Sequence, residues 1–235
     1  MRVHVLQHGK SELVGMGTIK EWANDKNYEV KTTRVDLKEA YPHANEFDFL
    51  IVLGGVQGAY QENEYPWLKK EKMWIRSMIE QQKFVLGICL GAQLIADGMG
   101  GKANKHSYKE VGWWPIAFNE KGIKHPLLKN VANHQEFYQF HQDTFTLPND
   151  AEHLAQNNAC ENQAFAIGEH VLALQFHPEI IKENAICMVE DLGETFLEDS
   201  PFIQNSEQIF RDDKFNDTSY SMYHILNNFE MRMAL

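Results

Sequence analysis

Apolar positions along the chain change their rhythm several times, and each change marks an element. Arg2 to Gln7 alternates polar and apolar residues, which predicts a strand. Thr18 to Lys26 has the spacing of a short helix, and Tyr28 to Val35 reads as a second strand. Phe47 to Leu53 (FDFLIVL) is apolar without alternation, the pattern of a strand buried on both faces of a parallel sheet. Gly54 and Gly55 stop it. Pro66 sits where a first helical residue is favoured, and Leu68, Ile75, Met78 and Ile79 form one stripe on a helix reaching about Gln82. Lys83 to Ile88 is another short buried strand. Leu90 to Met99 is helical until Gly100 and Gly101 end it.

The middle of the chain has another character. From Lys102 to about Gln175 the segments are short, rich in turn residues and partly alternating, as in Val111 to Phe118; they predict antiparallel strands and loops. Val171 to Phe176 (VLALQF) is the last core strand. Helices follow over Glu183 to about Leu192, Ser206 to Arg211 and Thr218 to Met231, the last docking through Met222, Ile225 and Phe229. Strands alternating with helices place the chain in the α/β class, as a single doubly wound domain. Its central sheet is expected to be mostly parallel, with an antiparallel mixed edge and flanking helices. The domain is expected to span 1–235, with a helical extension over about 183–235.

Composition narrows the function classes. Of 235 residues, 43% are hydrophobic and 23% charged, ordinary for a folded soluble protein. The net charge of −11 opposes nucleic-acid or anionic-membrane binding through a broad basic face. No apolar run approaches the ~20 residues of a membrane span. Val3, Val5 and Leu6 are too few for a signal-peptide core. Three cysteines make no disulfide framework, and their odd number fits a reducing compartment. The expected location is cytoplasmic.

Candidate chemistry begins at Gly87-Ile88-Cys89-Leu90-Gly91-Ala92-Gln93, where a buried strand gives way to a helix. G-x-C-x-G is the thiol form of the nucleophile elbow, a tight turn that lifts a side chain out of the sheet. A second signal is His177-Pro178-Glu179, at the end of the last core strand. Residues two apart in an extended segment point the same way, so the carboxylate can orient the imidazole, and Pro178 stiffens the pair. A third is Leu53-Gly54-Gly55-Val56-Gln57-Gly58, whose backbone N–H groups could bind a developing oxyanion. All three follow buried strands, and ligands of open α/β sheets bind at the carboxyl ends of strands.

Other residues have plainer readings. Cys160 and Cys187 lack the glycine flanks and read as bystanders. Trp113 and Trp114 read as packing. His8 and His106 could line the cleft by position alone. Lys69-Lys70-Glu71-Lys72 and the acidic run from Glu194 to Asp199 read as solvated helix faces.

Together GICLGAQ, QFHPE and the LGG loop resemble the class I glutamine amidotransferases of the Cys-His-Glu type, over about Phe47 to Glu179. Similar glutaminase units serve GMP synthetase, anthranilate synthase and the small subunit of carbamoyl phosphate synthetase. EYPWL and KEVGWWP look closest to free-standing GMP-synthase-like members. The resemblance implies Cys89 as nucleophile, His177 as base and acid, and Glu179 as orienting carboxylate. It implies an oxyanion held by the N–H groups of Gly55 and Leu90. Gly54, Gln93 and the loop His141-Gln142-Asp143 would contact the γ-glutamyl group. It implies no metal and no cofactor, a small-molecule substrate (glutamine or another γ-glutamyl compound) and a synthetase partner in a separate chain. A self-sufficient γ-glutamyl hydrolase or peptidase using the same triad is the alternative. An inactive binding or regulatory relative is a third.

Overall fold

The computed structural model describes residues 1–196 and 200–235. Its first half alternates as the pattern predicts: β1 (Arg2–Gln7), α1 (Thr18–Asp25), β2 (Glu29–Arg34), β3 (Phe49–Val52), α2 (Trp67–Glu80), β4 (Phe84–Ile88) and α3 (Leu90–Gly98). The middle contains β5 (Lys102–Phe118), the short α4 (Glu120–Lys124), β6 (His134–Thr146), β7 (Glu152–Gln156), β8 (Ala164–Ile167) and β9 (Val171–Leu174). Helices α5 (Lys182–Phe196), α6 (Ser206–Ile209) and α7 (Asp212–Met233) complete the described chain.

One mixed sheet carries all nine of these strands in the order β2-β1-β3-β4-β9-β8-β7-β5-β6. The five from β2 to β9 are parallel to one another, and the remaining four run antiparallel. The antiparallel wing is the expected mixed edge. It is dominated by the long hairpin of β5 and β6, whose register breaks between Lys105 and Glu110.

Both faces of the parallel half are covered, which explains the unbroken apolar run in β3. Phe49 and Ile51 face α1 and α7, packing with Ile19, Trp22, Met222 and Phe229. Leu50 and Val52 face the other way, with Leu68, Ile75, Met78 and Ile79 of α2 and Leu94 and Ile95 of α3. The Phe229 ring lies 4.6 Å from that of Phe49, so α7 docks where its apolar stripe predicts. Burying such a ring contributes on the order of 2–3 kcal/mol. A third cluster packs Trp113 against Tyr138, Ile209 and Phe215, the packing role expected of that tryptophan. Trp114 lies beside it, its indole N–H donating to the Val111 carbonyl at 3.1 Å.

Several boundaries differ from expectation. Strand β9 ends at Leu174 because the backbone bends at Gln175 and Phe176 before His177 bridges to Tyr138. Helix α7 begins at Asp212, six residues early, through a polar first turn in which only Phe215 is apolar and buried. The run Lys69-Lys70-Glu71-Lys72 is not a solvated face: Lys69 and Lys70 are exposed, but Glu71 and Lys72 are buried. Lys72 Nζ meets Glu62 at 2.6 Å, the Ala59 carbonyl at 3.1 Å and the Asp97 carboxylate, tying α2 to α3 and to the loop after β3. The acidic run from Glu194 to Asp199 lies outside the described side chains. Among the described residues no helix is long and apolar enough to cross a membrane.

Candidate active site

Cys89 sits between β4 and α3 with φ of 52° and ψ of −108°, a left-handed conformation that a non-glycine residue adopts only at a cost. Its backbone N–H is held by the Leu174 carbonyl of β9 at 2.8 Å. The turn needs the following glycine for space. A Cβ on Gly91 would come within 2.0 Å of the Val52 carbonyl oxygen, because the first turn of α3 presses on the end of β3. The thiol emerges at the carboxyl ends of the parallel strands.

His177 reaches the same point from β9. Its backbone N–H donates to the Tyr138 carbonyl at 2.8 Å, which anchors the segment to β6. Its Nδ1–H donates to Glu179 Oε1 at 2.7 Å, and both side chains are buried. The Glu179 carbonyl in turn accepts the Thr18 N–H at 2.9 Å, so the start of α1 pins the carboxylate segment. Burial acts against a charged imidazole, but Glu179 and the hydrogen-bonded sulfur of Cys89 outweigh it and push the His177 pKa up to about 10.

Cys89 and His177 open into a cleft of about 250 Å³. Gly55, Leu90, Gln93, His141, Gln142 and Asp143 line it as well. Gly54 lies just beneath: a Cβ there would sit 3.2 Å from His177 Cε1 and 3.6 Å from Cys89 Cβ. Gln93 is tethered through Nε2 to Gln175 Oε1 at 3.2 Å. His141 Nδ1–H donates to the Asp143 carbonyl at 2.9 Å. Asp143 receives the Tyr60 hydroxyl at 3.2 Å, and burial raises its pKa from the ordinary aspartate value.

The cleft also has walls that sequence reasoning passed over. Leu13 and Val14 follow β1, Lys105 stands at the bulge of β5, and Asp191 comes from α5. The rule that loops after parallel strands build such sites could have found the first two. Lys105 and Asp191 carry no local signal. His106 is half-buried and bonds to the Tyr108 carbonyl at 3.1 Å; its neighbour Lys105 lines the cleft instead.

His8 is not a cleft residue either. It lies fully buried behind the glycine loop, Nδ1 2.9 Å from the Gly54 carbonyl oxygen and Nε2 2.8 Å from Glu71 Oε1. Burial opposes its charge, but Glu71 and then the Gly54 carbonyl hold its pKa above the ordinary histidine value. A further buried pair sets His141 Nε2 3.1 Å from Glu110 Oε2, a carboxylate that accepts hydrogen bonds from Gln163 and Asn157. Cys160 is buried, its thiol pushed up to about 11 by that burial, and it contacts Thr144 away from the cleft.

The chain as a whole is similar to known proteins. The glutamine amidotransferase class-I family profile matches residues 18–190. The glutamine amidotransferase-like protein YfeJ of Salmonella typhimurium is 34% identical over 194 residues, covering 81% of this chain and 80% of that protein. A GMP synthase (glutamine-hydrolyzing) of Chlamydia caviae is 32% identical over 139 residues, covering 58% of this chain but only 26% of that enzyme. Gamma-glutamyl peptidase 3 of Arabidopsis thaliana is 29% identical over 158 residues, covering 64% of this chain and 63% of the peptidase. The crystal structure of a glutamine amidotransferase from Thermotoga maritima superposes with a TM-score of 0.86 at 25% identity, covering 99% of this chain and 97% of that one. A cysteine elbow, an adjoining His-Glu pair and a glycine loop at one sheet edge thus occur in a chain that belongs to the class I glutamine amidotransferase family.

Proposed function

We propose that the chain hydrolyses the side-chain amide of glutamine through a cysteinyl γ-glutamyl thioester. The observation that carries this reading is the convergence of Cys89 and the His177–Glu179 pair on one cleft whose wall includes Gly55 and Leu90. Cys89 sulfur attacks the amide carbon, and the resulting oxyanion accepts the N–H groups of Gly55 and Leu90. His177, protonated at the start, gives its proton to the departing ammonia as the C–N bond breaks. Neutral His177 then takes a proton from water, whose oxygen attacks the thioester. Glutamate leaves, and the sulfur returns to its partnership with the imidazolium. Glu179 keeps the ring oriented throughout.

Lys105, Asp143 and Asp191 put both signs of charge around the cleft, which suits the zwitterionic end of a glutamyl group. Gly54, Gln93, His141 and Gln142 complete the substrate contacts. No cofactor or metal enters this scheme. The ammonia passes to an acceptor, supplied by a synthetase in a separate chain. One observation favours a second reading. The γ-glutamyl peptidase is matched over most of its own length, whereas only about a quarter of the GMP synthase is. The same triad would then release an amine from a γ-glutamyl peptide without any partner.

The test is a panel of glutamine, γ-glutamyl peptides and glutathione conjugates, with ammonia, amine and glutamate each quantified. Equal release of ammonia and glutamate from glutamine, lost in Cys89→Ala, is expected. Rapid peptide cleavage with negligible glutaminase activity overturns the first reading in favour of the second. Silence on every substrate, with or without cell extract, overturns both.

A further inference from the structure

We propose that His8, clamped by Glu71, is a positioning residue for the oxyanion site, fixing the Gly54–Gly55 peptide so that the Gly55 N–H faces the cleft. The proposal rests on the amidase reading above and adds a residue pair that the reaction itself does not touch.

The starting point is the pair's complete burial, side chains 0% exposed on both partners. Burying two charges is costly unless each is satisfied, so such a pair calls for a reason. Both nitrogens of the His8 ring face acceptors. The Gly54 carbonyl cannot donate, so Nδ1 carries a proton and donates at 2.9 Å; Nε2–H donates to Glu71 Oε1 at 2.8 Å. Trp67 stacks on the ring, centroids 5.6 Å apart and planes 10° apart. The imidazole is thus held at three points and cannot rotate without breaking one.

What it holds is one peptide plane. In a trans peptide the carbonyl oxygen and the following N–H point to opposite sides. With the Gly54 oxygen turned back to His8, the Gly55 N–H is turned forward, and Gly55 is a wall of the cleft. The plane has little freedom. A Cβ on Gly55 would lie 2.6 Å from Leu90 Cδ2 and 2.9 Å from His8 Cβ, so backbone alone fits between the histidine and the nucleophile's helix. A hydrogen bond from an imidazolium to a carbonyl also polarises its amide, which makes the N–H on the far side a stronger donor. His8 therefore sets both the direction and the strength of one oxyanion contact, without reaching substrate.

Two double variants of the full-length protein test this. His8→Leu/Glu71→Leu removes the clamp while replacing a buried ion pair with apolar volume, a change that folded proteins often tolerate. His8→Asn/Glu71→Gln removes the charges but keeps a donor placed to reach the Gly54 carbonyl. Removing one oxyanion donor outright costs about 10²–10³-fold in kcat. The leucine pair, which only loosens a donor, is expected to lose roughly 10–100-fold in kcat with KM within about twofold, and the Asn/Gln pair to recover most of that loss. Alkylation of Cys89 by iodoacetamide passes through no oxyanion, and its rate should stay unchanged in both. The Gly55 amide resonance in ¹⁵N–¹H spectra should shift in the leucine pair and return towards its wild-type position in the Asn/Gln pair. An unchanged kcat in the leucine pair overturns the proposal, and so does an alkylation rate that falls in proportion to kcat. If the wild-type protein cleaves no γ-glutamyl compound, the amidase reading fails separately. The Gly55 resonance then decides the positioning claim, and a resonance indifferent to both variants refutes it.

Discussion

Of the buried histidine–glutamate pairs in and behind the cleft, two are built in opposite ways. His177 and Glu179 are two residues apart on one segment, joined at 2.7 Å, and the histidine's other neighbour is the Cys89 sulfur. His8 and Glu71 are 63 residues apart, joined at 2.8 Å, and the histidine's other neighbour is a backbone carbonyl. Burial works against the charge of both rings, and in both a carboxylate overrides it. The chemistry of the pairs is the same, so the third partner determines what each can do. A ring beside a sulfur can move a proton to and from reacting atoms. A ring beside a carbonyl can only hold a plane still.

The largest expected effects fall on the first pair. Cys89→Ala should lower kcat/KM for glutamine by at least about 10⁴-fold, as loss of a nucleophile does elsewhere. Glu179→Gln should cost less, about 10²–10⁴-fold, since orientation is one contribution and the nucleophile is the reaction itself. Steady-state kinetics check both. A Glu179→Gln variant as inactive as Cys89→Ala would mean that the carboxylate does more than orient.

The same contrast explains what could be read from the chain. His177 and Glu179 announce each other because an i, i+2 separation in extended backbone is a local rule, and Pro178 reinforces it. Glu71 stands in a run of lysines on α2, where local pattern points to solvent; only the packing of α2 behind the β3 loop turns it inward. Strand β3 was legible for a similar reason, being four apolar residues buried on both faces. The hairpin of β5 and β6 was legible only as antiparallel structure. Its pairing is long-range, its bulge falls in a polar stretch, and its two faces are unevenly buried. Glu110 in that hairpin is buried against His141 of the facing strand and against Asn157 and Gln163 from outside the hairpin, none within reach of a local rule.

Stability should separate the pairs in the reverse sense. Glu71→Ala removes the principal counter-charge of a fully buried imidazolium, a change that typically costs about 3–5 kcal/mol. Glu179→Ala leaves His177 with the Cys89 sulfur still beside it and should destabilise less. Urea unfolding of the two variants at pH 7 gives the order; equal losses would mean that the sulfur does not compensate.

A smaller effect should appear with pH. The His177 pKa is raised from the ordinary 6.5 to about 10 in the folded chain. A raised folded-state pKa means that the stabilising contribution is complete below the unfolded value and disappears as pH rises through the folded one. Urea midpoints should therefore fall between about pH 7 and 10, with a shallower fall in Glu179→Gln, where one cause of the raised pKa is gone. An NMR titration of the His177 ring should show the same midpoint and the same downward shift in the variant.

The smallest expected effect tests whether the second pair is held only by its carboxylate. Trp67 lies flat against His8 on the side that neither hydrogen bond controls, and a stacked contact of this kind contributes about 0.5–1.5 kcal/mol. Trp67→Leu keeps both hydrogen bonds and removes only the face that stops the ring from tilting. If His8 aims the Gly54–Gly55 peptide, slight tilt translates into a slightly misdirected N–H, and kcat should fall about twofold to fivefold with KM unchanged. The His177 titration should not move, because Trp67 contacts neither member of that pair among the ring contacts of the described residues. A kcat indifferent to Trp67 would mean that two hydrogen bonds alone fix the ring. A shifted His177 titration would mean that the two pairs act as one unit.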